Sequence, residues 1–359
     1  MEKIQIIQTH NSCLINHDLF FTLREVGFNV LLKYSFKHDQ TSVEAISDLD
    51  EEYSRYGYSA IYEHAGKIFH IPCYATNYGV YSLSQKTFCH SARILSTCKD
   101  SFDNSVVYKD SVFCVPLDVH GAIIVYDLTK ENEVKAISFP SSIKREGAYI
   151  RRVFRKSPKE FGLLISPINN VIYVDMEDDT ITFEKNVFEN KTIDAVFAYQ
   201  DKLLYRCLND NGVYVVDSDG KNRCVCRIPT IGRVEFIGVW YNHIFLDSVF
   251  ESMKYLISIE DLEKDNIEFQ VFDESKYVRS GVNNTYGHIT KDDNGNQYYF
   301  SGCSESLFYY LNGHLVRKNL MLSSDEESKI DAAWRNVLYK KRLMHERKSF
   351  DLERMLFAL

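Results

Sequence analysis

Glycine and proline are scarce in this chain: 16 and 6 of 359 residues. Collagen-like and low-complexity readings fail on those counts. No apolar run approaches the roughly 18 residues of a membrane span, and runs such as 121–126 are strand-length. The first residues, Met1-Glu2-Lys3-Ile4-Gln5-Ile6-Ile7, hold no long apolar core and no small-residue cleavage site, so no secretory leader is expected. Basic residues are in deficit, 42 Lys and Arg against 50 Asp and Glu, a net charge of −8. That balance argues against a nucleic-acid partner, which needs a basic face.

Catalytic motifs are missing too. There is no phosphate-cradling Gly-x-x-x-x-Gly-Lys-Ser/Thr, no His-Glu-x-x-His and no Gly-x-Ser-x-Gly. Asp217-Ser218-Asp219-Gly220 opens like a calcium loop, but the twelfth position, where an EF-hand places Glu, is Ile228. A tight hairpin explains the stretch better. Nine cysteines stand at irregular spacings, several inside apolar runs, and read as reduced, buried thiols. Cys224 and Cys226 share a strand face, yet no second Cys or His pair with ligand spacing lies nearby. No metal and no cofactor is expected, and the address that fits best is the cytoplasm.

What the chain has in plenty is Tyr and Phe, 24 and 23. Rings in that number need a core, and they suit a pleated, half-buried surface. They recur with a period. Tyr34-Ser35-Phe36, Tyr81-Ser82-Leu83, Tyr126-Asp127-Leu128, Val174-Asp175-Met176, Val216-Asp217-Ser218, Ile257-Ser258-Ile259 and Tyr309-Tyr310-Leu311 each precede a polar turn, about 46 residues apart. An apolar run lies before each mark, among them 68–71, 112–115, 203–205 and 244–246, and each of these four runs follows a short polar tip. A last strand follows the mark, as at 87–92, 133–139 and 267–272. Each unit therefore reads strand, turn, strand, loop, strand, turn, strand.

Seven such units resemble the blades of the β-propeller superfamily. The stretch Asn211-Gly212-Val213-Tyr214-Val215-Val216-Asp217-Ser218-Asp219-Gly220-Lys221-Asn222 is most similar to blades of WD40-like, PQQ-like and TolB-like repeat proteins. The resemblance spans about nine tenths of the chain. It is one of pattern: the Gly-His and Trp-Asp marks of WD40, the Gly-Gly of kelch and the Asp box of sialidases are all missing. The expectation is an all-β fold, a seven-bladed β-propeller of four-stranded antiparallel blades over residues 1–322, followed by a helical tail over 323–359. A pair of β-sandwich domains is the rival, but sandwiches need no repeat of this length.

The tail reads differently. Ser323-Ser324-Asp325-Glu326-Glu327 is a capped helix start. Ile330, Trp334, Val337 and Leu338 follow at helical spacing, and Phe350, Leu352, Met355 and Leu356 mark a short second helix. The stripe either packs on the propeller, covering a blade edge or one end, or docks on a partner, with Trp334, Leu338, Phe350, Leu352, Met355 and Leu356 as the docking candidates.

In a propeller the first strand of each blade lines the central channel, and its start faces one mouth. Counting nine residues back from each second strand gives His10, Ser59, Asp103, Asp194 and Glu235; in the two units with longer turns the polar matches are Arg151 or Arg152, and His288. As a site, this ring would use His10 or His288 to move a proton and Asp194 or Glu235 to hold a cation or a hydroxyl-rich ligand. As a wall, it is a set of ordinary ion pairs. Tyr58, Tyr149, Trp240 and Tyr286 lie near the same ends, as stacking platforms or as core. The functional expectation is a non-enzymatic scaffold for another protein or a second copy of itself. The alternative is a carbohydrate- or small-molecule-binding enzyme with its site at the mouth.

Overall fold

The computed structural model describes residues 12–23, 28–48, 58–73, 75, 77–93, 102–167, 170–184, 188, 193–207, 210–217, 219–229, 234–248, 252–276, 287–292, 294–301, 306–333 and 335–336. They form seven four-stranded antiparallel sheets, each built from four consecutive strands. Blade 1 is β1 (Ser12–Ile15), β2 (Asp18–Leu23), β3 (Phe28–Ser35) and β4 (Gln40–Asp48). Blade 2 is β5 (Tyr58–His64), β6 (Lys67–Pro72), β7 (Asn77–Ser82) and β8 (Thr87–Arg93). Blade 3 is β9 (Phe102–Tyr108), β10 (Ser111–Pro116), β11 (Ala122–Asp127) and β12 (Asn132–Ser138). Blade 4 is β13 (Tyr149–Ser157), β14 (Glu160–Ser166), β15 (Asn170–Asp175) and β16 (Thr180–Glu184). Blade 5 is β17 (Ile193–Tyr199), β18 (Lys202–Cys207), β19 (Gly212–Val216) and β20 (Asn222–Arg227). Blade 6 is β21 (Val234–Trp240), β22 (His243–Ser248), β23 (Met253–Ser258) and β24 (Phe269–Asp273). Blade 7 is β25 (His288–Lys291), β26 (Gln297–Phe300), β27 (Ser306–Leu311) and β28 (His314–Asn319).

The first strands form a closed ring: β1, β5, β9, β13, β17, β21 and β25 each touch the next, and β25 touches β1. This is a seven-bladed β-propeller. Its cores lie between blades, which explains the continuous apolar runs of the second strands. Phe161 to Ser166 of β14 are all buried, because a neighbouring blade covers each face. Outer strands see water, so β12 and β24 are mostly exposed. Rings fill the gaps, as where Phe113 meets Phe161 at 6.0 Å between blades 3 and 4 and Phe21 meets Phe300 at 5.1 Å between blades 1 and 7.

Among the described residues no strand is shared between the chain ends, and side chains, a backbone bridge between Thr41 and Leu322 and the tail hold the seam between blades 7 and 1. Helix α1 (324–333) begins after Ser323, whose Oγ accepts the N–H of Glu326 at 3.3 Å. Ile330 is buried with Leu19, Leu32 and Tyr34 of blade 1 and Phe300 and Leu307 of blade 7. Glu326 turns back to the edge strand β4 and accepts the N–H of Val43 at 2.8 Å. The helix thus covers an edge that would otherwise offer free backbone groups. Trp334, Leu338, Phe350, Leu352, Met355 and Leu356 all lie outside the described residues.

Candidate functional site

The four strands of a blade run as a meander, so every blade has two ends. At one end the inner strand starts; at the other lie the tips joining its first to second and third to fourth strands.

At the starting end the inner strands are bulged. The register against the second strand skips Ser59 in blade 2, Asp103 in blade 3, Arg151 in blade 4 and Asp194 in blade 5. In blade 6 it skips Ile237 instead. A bulge places an unpaired residue and re-aims its side chain, so four of the positions found by counting are places where the ladder is interrupted. Ser59 is buried and points back to the carbonyl of Ile71 at 3.4 Å. The Asp103 side chain and all of His10 lie outside the described residues.

The remaining candidates meet one another. Arg151 Nη2 donates to Asp194 Oδ1 at 2.9 Å, and Arg206 Nη1 lies 3.6 Å from Asp194 Oδ2. Arg152 reaches past blade 5 to pair with Glu235 of blade 6. Asp194 also accepts the N–H of Val234, where the inner strand of blade 6 starts, at 3.3 Å. Burial lowers the pKa of Arg206 against the pull of Asp194. The carboxylates and guanidiniums expected to face a ligand neutralise each other.

The next junction repeats the device with residues the count misses. Asp247 on β22 is buried, pairs with buried Lys254 at 2.5 Å and accepts the N–H of Gly287 at 2.7 Å. Burial raises its pKa, while Lys254 and that N–H oppose the rise. Buried Glu274 accepts the hydroxyl of Ser301 at 2.6 Å. The signal for Arg206, Asp247 and Lys254 was a single charge inside an apolar run. Such a residue must have a polar partner, and here the ionic one lies on a strand of the same blade: Asp194 for Arg206, and Asp247 and Lys254 for each other.

His288 closes the circle. Its Nε2 lies 2.7 Å from Ser12 Oγ, across the seam, and its ring stacks on Phe300 at 4.9 Å. Burial pushes its pKa down to about 4, so the ring is neutral at pH 7. His70 between blades 1 and 2 is pushed down to about 3 for the same reason, beside Asn29 Nδ2 at 3.4 Å. Tyr58 and Trp240 are core, Tyr149 is 39% exposed, and Tyr286 lies outside the described residues. Among the described residues no group of three His, Cys, Asp or Glu is placed to hold a metal ion.

The tip end is different. Tyr241, on the first tip of blade 6, packs edge-on against Tyr310 at 4.8 Å, and its hydroxyl accepts the Tyr310 N–H at 3.0 Å. Tyr310, Leu311 and Leu315 of blade 7 are 42%, 56% and 45% exposed. Beyond them Tyr309 meets Phe36 of blade 1 at 5.9 Å. An apolar crest therefore runs over the tips of blades 6 and 7 toward blade 1, fixed by hydrogen bonds yet open to water.

Similar folds among solved structures include virginiamycin B lyase from Staphylococcus aureus, with a TM-score of 0.57 and 10% identity over 82% of this chain and 92% of that one. A streptogramin B lyase matches with 0.56 and 11% over 84% and 94%. A chain of the mitotic checkpoint complex matches with 0.56 and 11% over 90% and 91%. At such identities the likeness is one of fold. No protein-family model matches the chain, and no curated protein sequence matches it. No helix among the described residues is long and apolar enough to cross a membrane.

Proposed function

We propose that this propeller is a cytoplasmic interaction scaffold that binds another protein through the tips of blades 6 and 7. One observation carries the reading: Tyr241, Tyr310 and Leu315 form an exposed apolar group on a rigid base, with Leu311 exposed at the adjoining hairpin tip. Exposed rings with a locked hydroxyl give contact area at low entropic cost, which is how interface anchors work. The self-paired charges of the starting end support the same reading, since Arg152 and Glu235 spend their charge on each other. One similar fold is a chain of a protein complex and two others are lyases, so the fold serves either kind of role.

The test compares variants at the two ends of the full chain. Immobilised wild type, Y310E/L311E and R152Q/E235Q are challenged with extract of the source cells, and bound proteins are identified. The tip variant is expected to lose proteins that the wild type and the other variant keep. Identical sets on wild type and tip variant, with both folded, would overturn the reading. Loss on R152Q/E235Q alone would move the site to the channel and favour a small-molecule or carbohydrate ligand there.

A further inference from the structure

Blade 1 carries a cleft at its own tips, about 480 Å³ in volume, between the turn at Asn16 and His17 and the turn at Lys37 and His38. Every residue that lines it has a polar or charged side chain. Its size falls in the range of about 300–1,000 Å³ typical of small-ligand sites.

The charges around the cleft are unequally committed. Lys33 is held by Glu44 at 3.0 Å and lies 4.0 Å from Asp18. Asp39 is turned away: Tyr34 donates to one oxygen at 2.5 Å and Lys318 to the other at 2.7 Å. Those two partners also hold its carboxyl below the usual range. Lys37, His17 and His38 are exposed and have no ion pair or hydrogen bond among the described residues. The donors left over are one ammonium and two imidazoles. Asp18 also lines the cleft, so the lining carries two ammoniums and two imidazoles against one carboxylate, on a chain of net charge −8.

We propose that the blade 1 cleft binds a phosphate monoester, with Lys37, His17 and His38 donating to the phosphate oxygens. A phosphate offers three strong acceptors and close to two negative charges, which matches three donors lining one cleft better than a single carboxylate does. The cleft is larger than a bare phosphate, so it suits a phosphate carried on a larger body, such as a peptide or a polyol. The proposal does not rest on the scaffold reading.

The test uses the full chain with 13C-labelled histidine. Potassium phosphate is titrated in, with potassium chloride at matched ionic strength and constant pH as the control. Ring signals of His17 and His38 should shift with phosphate and saturate, while His70 stays still. K37A should bind at least about tenfold more weakly, and K37R should stay within a few-fold, because the charge-assisted bond is kept in one and lost in the other. A phosphoserine peptide and glycerol phosphate are then compared with inorganic phosphate. Tighter binding of the peptide identifies a protein-borne phosphate, and tighter binding of glycerol phosphate a small-molecule one; either result supports the proposal. A drift that never saturates, or an equal response in wild type and K37A, overturns it.

Discussion

The two ends of the ring use polar and apolar residues in opposite ways. At the starting end Arg151, Arg152, Asp194, Arg206 and Glu235 gather in a small space, and each answers another. At the tip end Tyr241, Tyr310 and Leu311 face water, and Lys37 and His38 have no ionic partner among the described residues. A convergent set of charges looks like a site until its pairs are drawn. The groups left over after pairing are the ones a ligand can use: at the starting end three guanidiniums share two carboxylates, while on the tips Lys37 and His38 have no ionic partner among the described residues.

If the starting end is structural, breaking it should cost stability. Asp194→Ala removes the carboxylate from two guanidiniums and from the N–H of Val234. Loss of one side of a buried ion pair costs about 3–5 kcal/mol. D247A should behave alike, through Lys254 and Gly287. Urea unfolding of both variants measures this; a loss below about 1 kcal/mol would detach these residues from the fold. The seam should give a slightly smaller effect. Ile330→Ala empties a fully buried position between blades 1 and 7 and should cost about 2–5 kcal/mol.

Acid should also act on the starting end. His70 and His288 are held neutral, with pKa values pushed down to about 3 and about 4. Below about pH 6.5 the unfolded chain takes up protons that these rings refuse, so stability falls as pH drops from about 6.5 toward 4. Asp247, raised by burial, pulls the other way, so the slope is read as a difference. H70Q/H288Q should remove a loss of up to about 5 kcal/mol between pH 7 and 4.5. An unchanged slope would show that neither ring is buried neutral. The smallest effect on stability belongs to the tips: Y310E/L311E should stay within about 0.5 kcal/mol of wild type, as surface changes do.

The sequence made the blades easy to read and the junctions hard. The period of about 46 residues, the polar tips and the apolar second strands all follow from local patterning, which each blade carries within itself. The count from the second strand reached Asp194 and Glu235, because those inner strands begin at a regular distance; Arg152 and His288 were only the nearest polar matches in blades with longer turns. It could not show that Arg152 would reach Glu235 two blades on, nor that Asp194 and Asp247 would each hold a backbone N–H 40 residues later. Those contacts depend on how blades stack. The exposed crest was also hidden, since Tyr310 and Leu311 look like any other strand end until the ring leaves them uncovered. The tail was half legible: the Ser323 cap and Ile330 were read from spacing, but packing against blade 1 needed the closed ring.

The central claim is that recognition happens at the tips of blades 6 and 7. A photo-crosslinking residue placed at Tyr310, and separately at the exposed Tyr149 of the starting end, tests it in living cells. The account requires a covalent adduct with another protein, or a second copy of this one, from position 310 and none from position 149. Adducts from position 149 alone, or from neither position, would contradict it.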